Sequence, residues 1–250
     1  MEAGNVYLPH PELAPWVADL MEECAGFPSA AYDDQVDAMS QAINRLRDAS
    51  RAIYPVAESE IAIDPIEIGR EWPRVFAIDS RPTETGALWM ALNPQTETLY
   101  VYSEYYQNHG DAAVHAQGIR SRGPWIPGML DVRGDGRSSS DGYNLLRIYR
   151  ELGLALDEAQ DSEQSGIVEV LQRIRSGRLK VFRTLENFFR EYRLYRRDEL
   201  GRIVKENDVL MNCLRHLCVG GRENMRRPTR PSPMGDQSRV LPGTPGGWML

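Results

Sequence analysis

Val75-Phe76-Ala77-Ile78-Asp79, Gly86-Ala87-Leu88-Trp89-Met90-Ala91-Leu92 and Thr98-Leu99-Tyr100-Val101-Tyr102 are three apolar runs rich in β-branched and aromatic residues, separated by turn residues such as Asn93-Pro94. They predict consecutive strands of one antiparallel meander. The first run ends in a carboxylate. An aspartate at the end of a buried strand is held rigidly yet open to solvent, a placement suited to metal binding or catalysis, and a plain turn aspartate uses the same place.

Beyond the meander the periodicity alternates. A helix over 111–122 is followed by a strand ending at Asp131, a helix over 141–151, and a strand at Leu154-Ala155-Leu156. A helix over 163–175, a strand over Leu179–Phe182 and two further helices, the last from Asn207 to Cys218, complete the series. A meander followed by such alternation predicts an α/β domain with a mixed sheet and flanking helices.

Before the meander, Asn5-Val6-Tyr7-Leu8 reads as a strand closed by Pro9. Pro15 opens a helix in which Trp16, Val17, Leu20, Met21 and Cys24 recur at helical spacing until Gly26 and Pro28 stop it. A second helix starts at Tyr32, with Val36, Met39, Ile43 and Leu46 as its apolar stripe and Asp34 and Asp37 on the polar side. Acidic residues in a first turn cap free amides and complement the helix dipole. Residues 51–71, with Pro55 and Pro65 around Glu58-Ser59-Glu60, read as a linker, and Ile61, Ile63, Ile66 and Ile68 alternate as an edge strand would. The tail 222–250, rich in proline, glycine and arginine without apolar periodicity, is expected to be disordered.

The 250 residues suffice for one large domain with appendages. No apolar run reaches the roughly 18 residues of a spanning helix and no signal peptide is evident, so no membrane partner is expected. Cys24, Cys213 and Cys218 have no CxxC spacing, which suggests neither a disulfide framework nor a zinc site and fits a cytoplasmic setting. The formal net charge of −7 argues against general polyanion binding, although basic residues cluster late in the chain.

Particular residues point to a family. Asn5-Val6-Tyr7-Leu8-Pro9, Trp16, Glu22-Glu23, Phe27-Pro28 and Asp33-Asp34-Gln35-Val36-Asp37-Ala38 resemble the extreme C-terminus of the large subunit of tailed-phage terminases. From Trp72 to about Gly221 the chain resembles the nuclease domain of a terminase large subunit from its beginning. That likeness is carried by Phe76-Ala77-Ile78-Asp79, Thr85-Gly86-Ala87-Leu88-Trp89, Trp125-Ile126-Pro127-Gly128, Gly177-Arg178-Leu179-Lys180-Val181-Phe182 and Tyr192-Arg193-Leu194-Tyr195-Arg196-Arg197-Asp198. The resemblance implies a terminase fragment over 1–50 and a ribonuclease H-like nuclease domain over 72–221. It also implies an endonuclease using two Mg2+ or Mn2+ ions on double-stranded viral DNA in a bacterial host, with the terminase small subunit and the portal as partners. No GxxxxGK[ST] run occurs, so the packaging ATPase is expected to be absent.

Two-metal hydrolysis needs hard oxygen ligands converging from separate elements, with the ions about 4 Å apart. Asp79 and Asp131, both at strand ends, form the natural pair, with Asp135 and Glu104 as understudies. By resemblance the third ligand falls near Asn207–Asn212, where related sequences carry His and Asp three residues apart. This chain has Val209 and Asn212 there, leaving Asp208 or the displaced Asp34 and Asp37 as third contributor. Arg81 follows the first aspartate and would place a positive charge beside the metals. On the helix from Glu186, Leu185, Phe188, Phe189, Tyr192 and Tyr195 read as core, whereas Arg190, Arg193 and Arg197, with Arg178 and Lys180 before them, are candidates for tracking DNA phosphates. The alternative function is a non-catalytic DNA-binding or assembly remnant of a prophage terminase gene, which Val209 and Asn212 favour.

Overall fold

The computed structural model describes residues 8–27, 34–132, 139–159 and 163–228. The meander forms as β2 (Arg74–Ser80), β3 (Glu84–Asn93) and β4 (Thr98–Asn108), antiparallel throughout, with Ile78 opposite Ala87 and Ala91 opposite Tyr100. Local chemistry sets both turns. The Arg81 N–H donates to the Glu84 carbonyl across Pro82, and Asn93 Oδ1 accepts from the amides of Gln95 and Thr96.

Next come α4 (Ala112–Arg120), β5 (Gly128–Leu130), α5 (Ser139–Glu151), β6 (Leu156–Glu158) and α6 (Glu163–Arg175). Asp111 caps α4 by accepting from Ala113 and Val114. The chain continues through β7 (Leu179–Phe182), α7 (Glu186–Leu194), α8 (Val209–Val219) and the single turn α9 (Gly221–Asn224). Upstream lie α1 (Trp16–Gly26), α2 (Asp34–Arg51), α3 (Glu58–Ile61) and β1 (Ala62–Ile63). The described strands make one sheet in the order β1-β7-β4-β3-β2-β5-β6, with the long meander at its centre and parallel additions on both flanks.

Alternation along β2 divides the core. Val75 and Ala77 join a cluster with Ile167, Val170, Phe188, Leu210 and Leu214 from α6, α7 and α8. Phe76 and Ile78 join another with Ala116, Ile119, Leu146 and Tyr149 from α4 and α5. The α7 aromatics are core, as their spacing predicts, with the Phe188 and Phe189 rings edge to face at 5.2 Å. Burial of α8 is nearly complete from Val209 to Cys218, so its polar residues Asn212, Arg215 and His216 carry information.

Three sequence expectations shift. The stretch expected as a linker contains α3 and β1, and β1 takes the edge of the sheet beside β7, so of the two readings of the isoleucines the strand holds at Ile63. The start of the expected tail is folded: Arg226 exchanges backbone hydrogen bonds with Arg74 at 2.9 and 3.0 Å, an antiparallel bridge beside the first residue of β2. The strand expected at Leu154–Leu156 runs Leu156–Glu158. The expected strand at Asn5–Leu8, the candidate ligand Asp135 and the tail from 229 lie outside the described residues, apart from Leu8.

One close approach shapes the segment carrying Asp131. A Cβ on Gly142, in α5, would lie 1.8 Å from the Val132 carbonyl oxygen, a backbone atom that cannot swing away. Gly142→Ala is therefore expected to destabilise the domain by about 1–3 kcal/mol, the range for overpacking, read by urea unfolding. A variant as stable as the native chain would show that this approach is not tight.

Candidate functional site

Asp79 is the next-to-last residue of β2, and Ile78 pairs with Leu130 of the parallel β5. Asp131 follows β5 by one residue, so the two carboxylates leave neighbouring parallel strands at corresponding positions. Alternation sends Asp79 toward α8. Ser80 points the other way, its Oγ 2.9 Å from both Thr85 Oγ1 and Tyr149 Oη. Contacts with α8 agree: Asn212 Nδ2 donates to Asp79 Oδ2 at 3.0 Å, and His216 Nε2 lies 3.5 Å from Asp131 Oδ2. Asn212 and His216 are one turn apart and face successive strand ends.

Gly86, directly opposite Asp79 on β3, lets α8 come this close. A Cβ there would fall 2.6 Å from Val209 Cγ1 and 2.8 Å from Leu210 Cδ2. The approach delivers Asp208, the fully buried residue that starts α8, to the end of β2. An aspartate at a helix start ordinarily caps the helix, but the Asp208 side chain makes no capping hydrogen bond. Glu191 of α7 does this instead, accepting at Oε2 from the amides of Leu210 (2.7 Å) and Met211 (3.4 Å).

Asp208 is turned to Arg81. Beyond β2, this arginine sends its side chain back over Asp79, with Nη2 and Nε 3.0 and 3.3 Å from Asp79 Oδ2. Its Nη1 is 2.8 Å from Asp208 Oδ1 and 3.7 Å from Glu84 Oε1. Both members of the Arg81–Asp79 pair have side chains only 5% exposed. Burial works against the Arg81 charge, but Asp79 and Asp208 outweigh it and raise the guanidinium pKa further. The Asp208 pKa is raised as well: burial lifts it despite the opposing pull of Arg81. A second buried cation fixes the Asn212 amide. Arg215 Nη2 donates to Asn212 Oδ1 at 2.7 Å, so the amide nitrogen faces Asp79.

Among the described residues this donor set does not fit two divalent ions. Asp79 is engaged by Arg81 and by an amide N–H, Asp208 by Arg81, and the neutral Asn212 turns its nitrogen, not its oxygen, to the carboxylate. Among the described residues no group of three or more His, Cys, Asp or Glu side chains could hold a metal. Asp34 and Asp37 are exposed on the first turn of α2. Glu104, an expected understudy, receives the amides of Asn187 (3.0 Å) and Phe188 (2.8 Å) and so caps α7. His115 is 3% exposed, with Nδ1 2.9 Å from Tyr105 Oη. Sequence reasoning foresaw the charge of Arg81 but missed Arg215, His216 and Glu191. A fully apolar helix pattern interrupted by Asn, Arg and His was the signal available for the first two.

The candidate phosphate-tracking residues are scattered over several contacts. Arg193 pairs with Glu58 at 2.8 Å and Arg178 with Glu97 at 3.4 Å. Lys180 Nζ donates to the Glu60 carbonyl, and Arg197 to the Gly201 carbonyl and Gln164. Arg190 stands over the Tyr106 ring at 4.9 Å, and Tyr106 Oη donates to Glu84, the residue that approaches Arg81. Of the set, Arg190 is linked most directly to the carboxylate cluster.

A mixed sheet of this order with helices on both faces is a ribonuclease H-like α/β fold, the class found in terminase nuclease domains. No family model matches the chain. The chain is 29% identical over 178 residues, 67% of its length, to the terminase large subunits of Salmonella phage P22 and Enterobacteria phage LP7. It spans little more than a third of those relatives, 35% and 37%. The solved P22 large terminase nuclease domain superposes with a TM-score of 0.65 at 26% identity, covering 70% of this chain and 94% of that one. A large terminase from a thermophilic bacteriophage, solved in complex with ADP, shares the fold at a TM-score of 0.58 and 16% identity, covering 67% of this chain and 44% of that one.

The buried Glu191 carboxyl has a consequence for pH. Burial pushes its pKa from 4.5 up to about 8, against the two amide donors that favour its charge. A carboxyl harder to ionise in the native state contributes stability in full below 4.5 and loses it as pH rises through about 8. The melting temperature is expected to fall over that window. Glu191→Gln, which keeps an acceptor for Leu210 and has no proton to lose, is expected to flatten the fall. Parallel profiles for the two proteins would remove Glu191 as the cause.

Proposed function

We propose that the chain is a DNA-engaging domain of the terminase large-subunit type in which strand cleavage has been lost, a remnant of a packaging nuclease from a prophage. The observation that carries this reading is the Arg81 guanidinium seated between Asp79 and Asp208, where chemistry on a phosphodiester would need those carboxylates for hard cations. Asn212 supports it, since an amide that donates to Asp79 cannot act as an acidic ligand. Retention of a well-packed ribonuclease H-like core, matched over 94% of the P22 nuclease domain, supports continued use of the DNA-facing surface. Double-stranded DNA in the bacterial cytoplasm is the partner on this reading, with small subunit and portal as further partners of the type.

A second reading has its own support. Asp79 and Asp131 leave neighbouring parallel strands on one face, the arrangement that brings two carboxylates together for Mg2+ or Mn2+-dependent endonuclease chemistry. Incubation of supercoiled plasmid with Mn2+ separates the two. The native chain is expected to leave the plasmid intact, indistinguishable from Asp79→Ala, whereas nicking by the native chain alone would restore the endonuclease.

DNA contact is tested apart from cleavage. Arg190→Ala with Arg193→Ala is expected to weaken duplex binding for all sequences and to lower the salt slope by about 1 for each arginine–phosphate pairing removed. Unchanged binding in a fluorescence-anisotropy titration would exclude these arginines.

A further inference from the structure

Arg81 is placed as a cation would be. It bridges the carboxylate at the end of β2 and the carboxylate at the start of α8, 3.0 Å from one and 2.8 Å from the other, with Glu84 at 3.7 Å on its flank. Asp208 is fully buried and Asp79 nearly so. Two carboxylates forced together out of water repel each other unless a positive charge stands between them. In a metal centre a divalent ion does this, and two carboxylates with retained waters suffice to hold Mg2+ or Mn2+. Here the charge belongs to the chain. Tethered two residues from Asp79, it competes at high effective concentration, and its pKa keeps it charged at every ordinary pH. Arg215, also buried, places a second guanidinium on the α8 side of Asn212.

We infer that Arg81 is a built-in counter-cation: its guanidinium holds the Asp79–Asp208 junction together in place of a divalent ion, and its removal converts the junction into a divalent-cation site on which the fold depends. The inference rests on the non-cleaving reading above, but its readout is metal-dependent stability, so the two can fail separately. Native-chain nicking would overturn that reading, whereas the behaviour of Arg81 variants decides this one.

The experiment is thermal unfolding of the full chain in EDTA and in about 1 mM MnCl2. The native protein is expected to melt at the same temperature in both. Arg81→Ser is expected to melt well below it in EDTA and to gain about 5 °C or more with Mn2+. A native chain stabilised by Mn2+ in a manner abolished in Asp79→Ala, or an Arg81→Ser protein with no Mn2+ response, would overturn the inference. Because Arg81→Ser takes the guanidinium from the buried Asp208 carboxylate, it can fail to fold in EDTA. Refolding it in Mn2+ then serves as the readout, recovery supporting the inference. The double variant Arg81→Ser/Asp208→Asn removes the repulsion and one ligand together. It is expected to fold in EDTA and to ignore Mn2+. If the double variant folds while Arg81→Ser stays unfolded even in Mn2+, the junction does not accept a divalent ion and the inference falls.

Discussion

The contact between Arg81 and the carboxylates of Asp79 and Asp208 sets the terms for the interior around it. Taking such charges from water costs several kcal/mol per ion, and only close pairing offsets it. With the pairing in place, α8 can bury Asn212, Arg215 and His216 against a sheet end that carries two aspartates. Without it, the same helix would press a carboxylate into a wall of carboxylates. The ion cluster and the approach of α8 permitted by Gly86 therefore belong together: the glycine brings the helix down, and the arginine makes that position tolerable.

Fold and chemistry meet at α8. The sheet is held by two apolar clusters, one under α6, α7 and α8 and one under α4 and α5, and only the first includes the helix seated against the charged strand ends. Arg81 and Asn212 set the character of the strand ends within an architecture similar to that of the P22 nuclease domain. His216 beside Asp131 and Arg215 beside Asn212 are further polar side chains that α8 brings to the sheet end.

The meander and the later helices were legible because period-2 and period-3.6 patterns in long apolar runs are read directly from order. Asp79 and Asp131 could be paired in advance because strand ends of one sheet converge by topology. The partners of those carboxylates were less accessible. Whether Asp208 caps its helix or turns to Arg81 depends on Glu191, a residue of another helix that supplies the cap. The folded turn at Gly221–Asn224 and the bridge from Arg226 to Arg74 were hidden because a short segment recruited by the backbone of a distant strand leaves no periodic trace. Burial of His115 leaves no sequence trace for a related reason: its partner Tyr105 sits on a strand, and a lone histidine in a helix pattern does not announce which side it takes.

The outermost strands of the sheet, Ala62–Ile63 and Leu156–Glu158, are two and three residues long. Strands so brief offer few open amide and carbonyl groups for a neighbour to zip onto, which guards a sheet against runaway growth into fibres. The described sheet therefore offers little edge onto which another chain could add a strand.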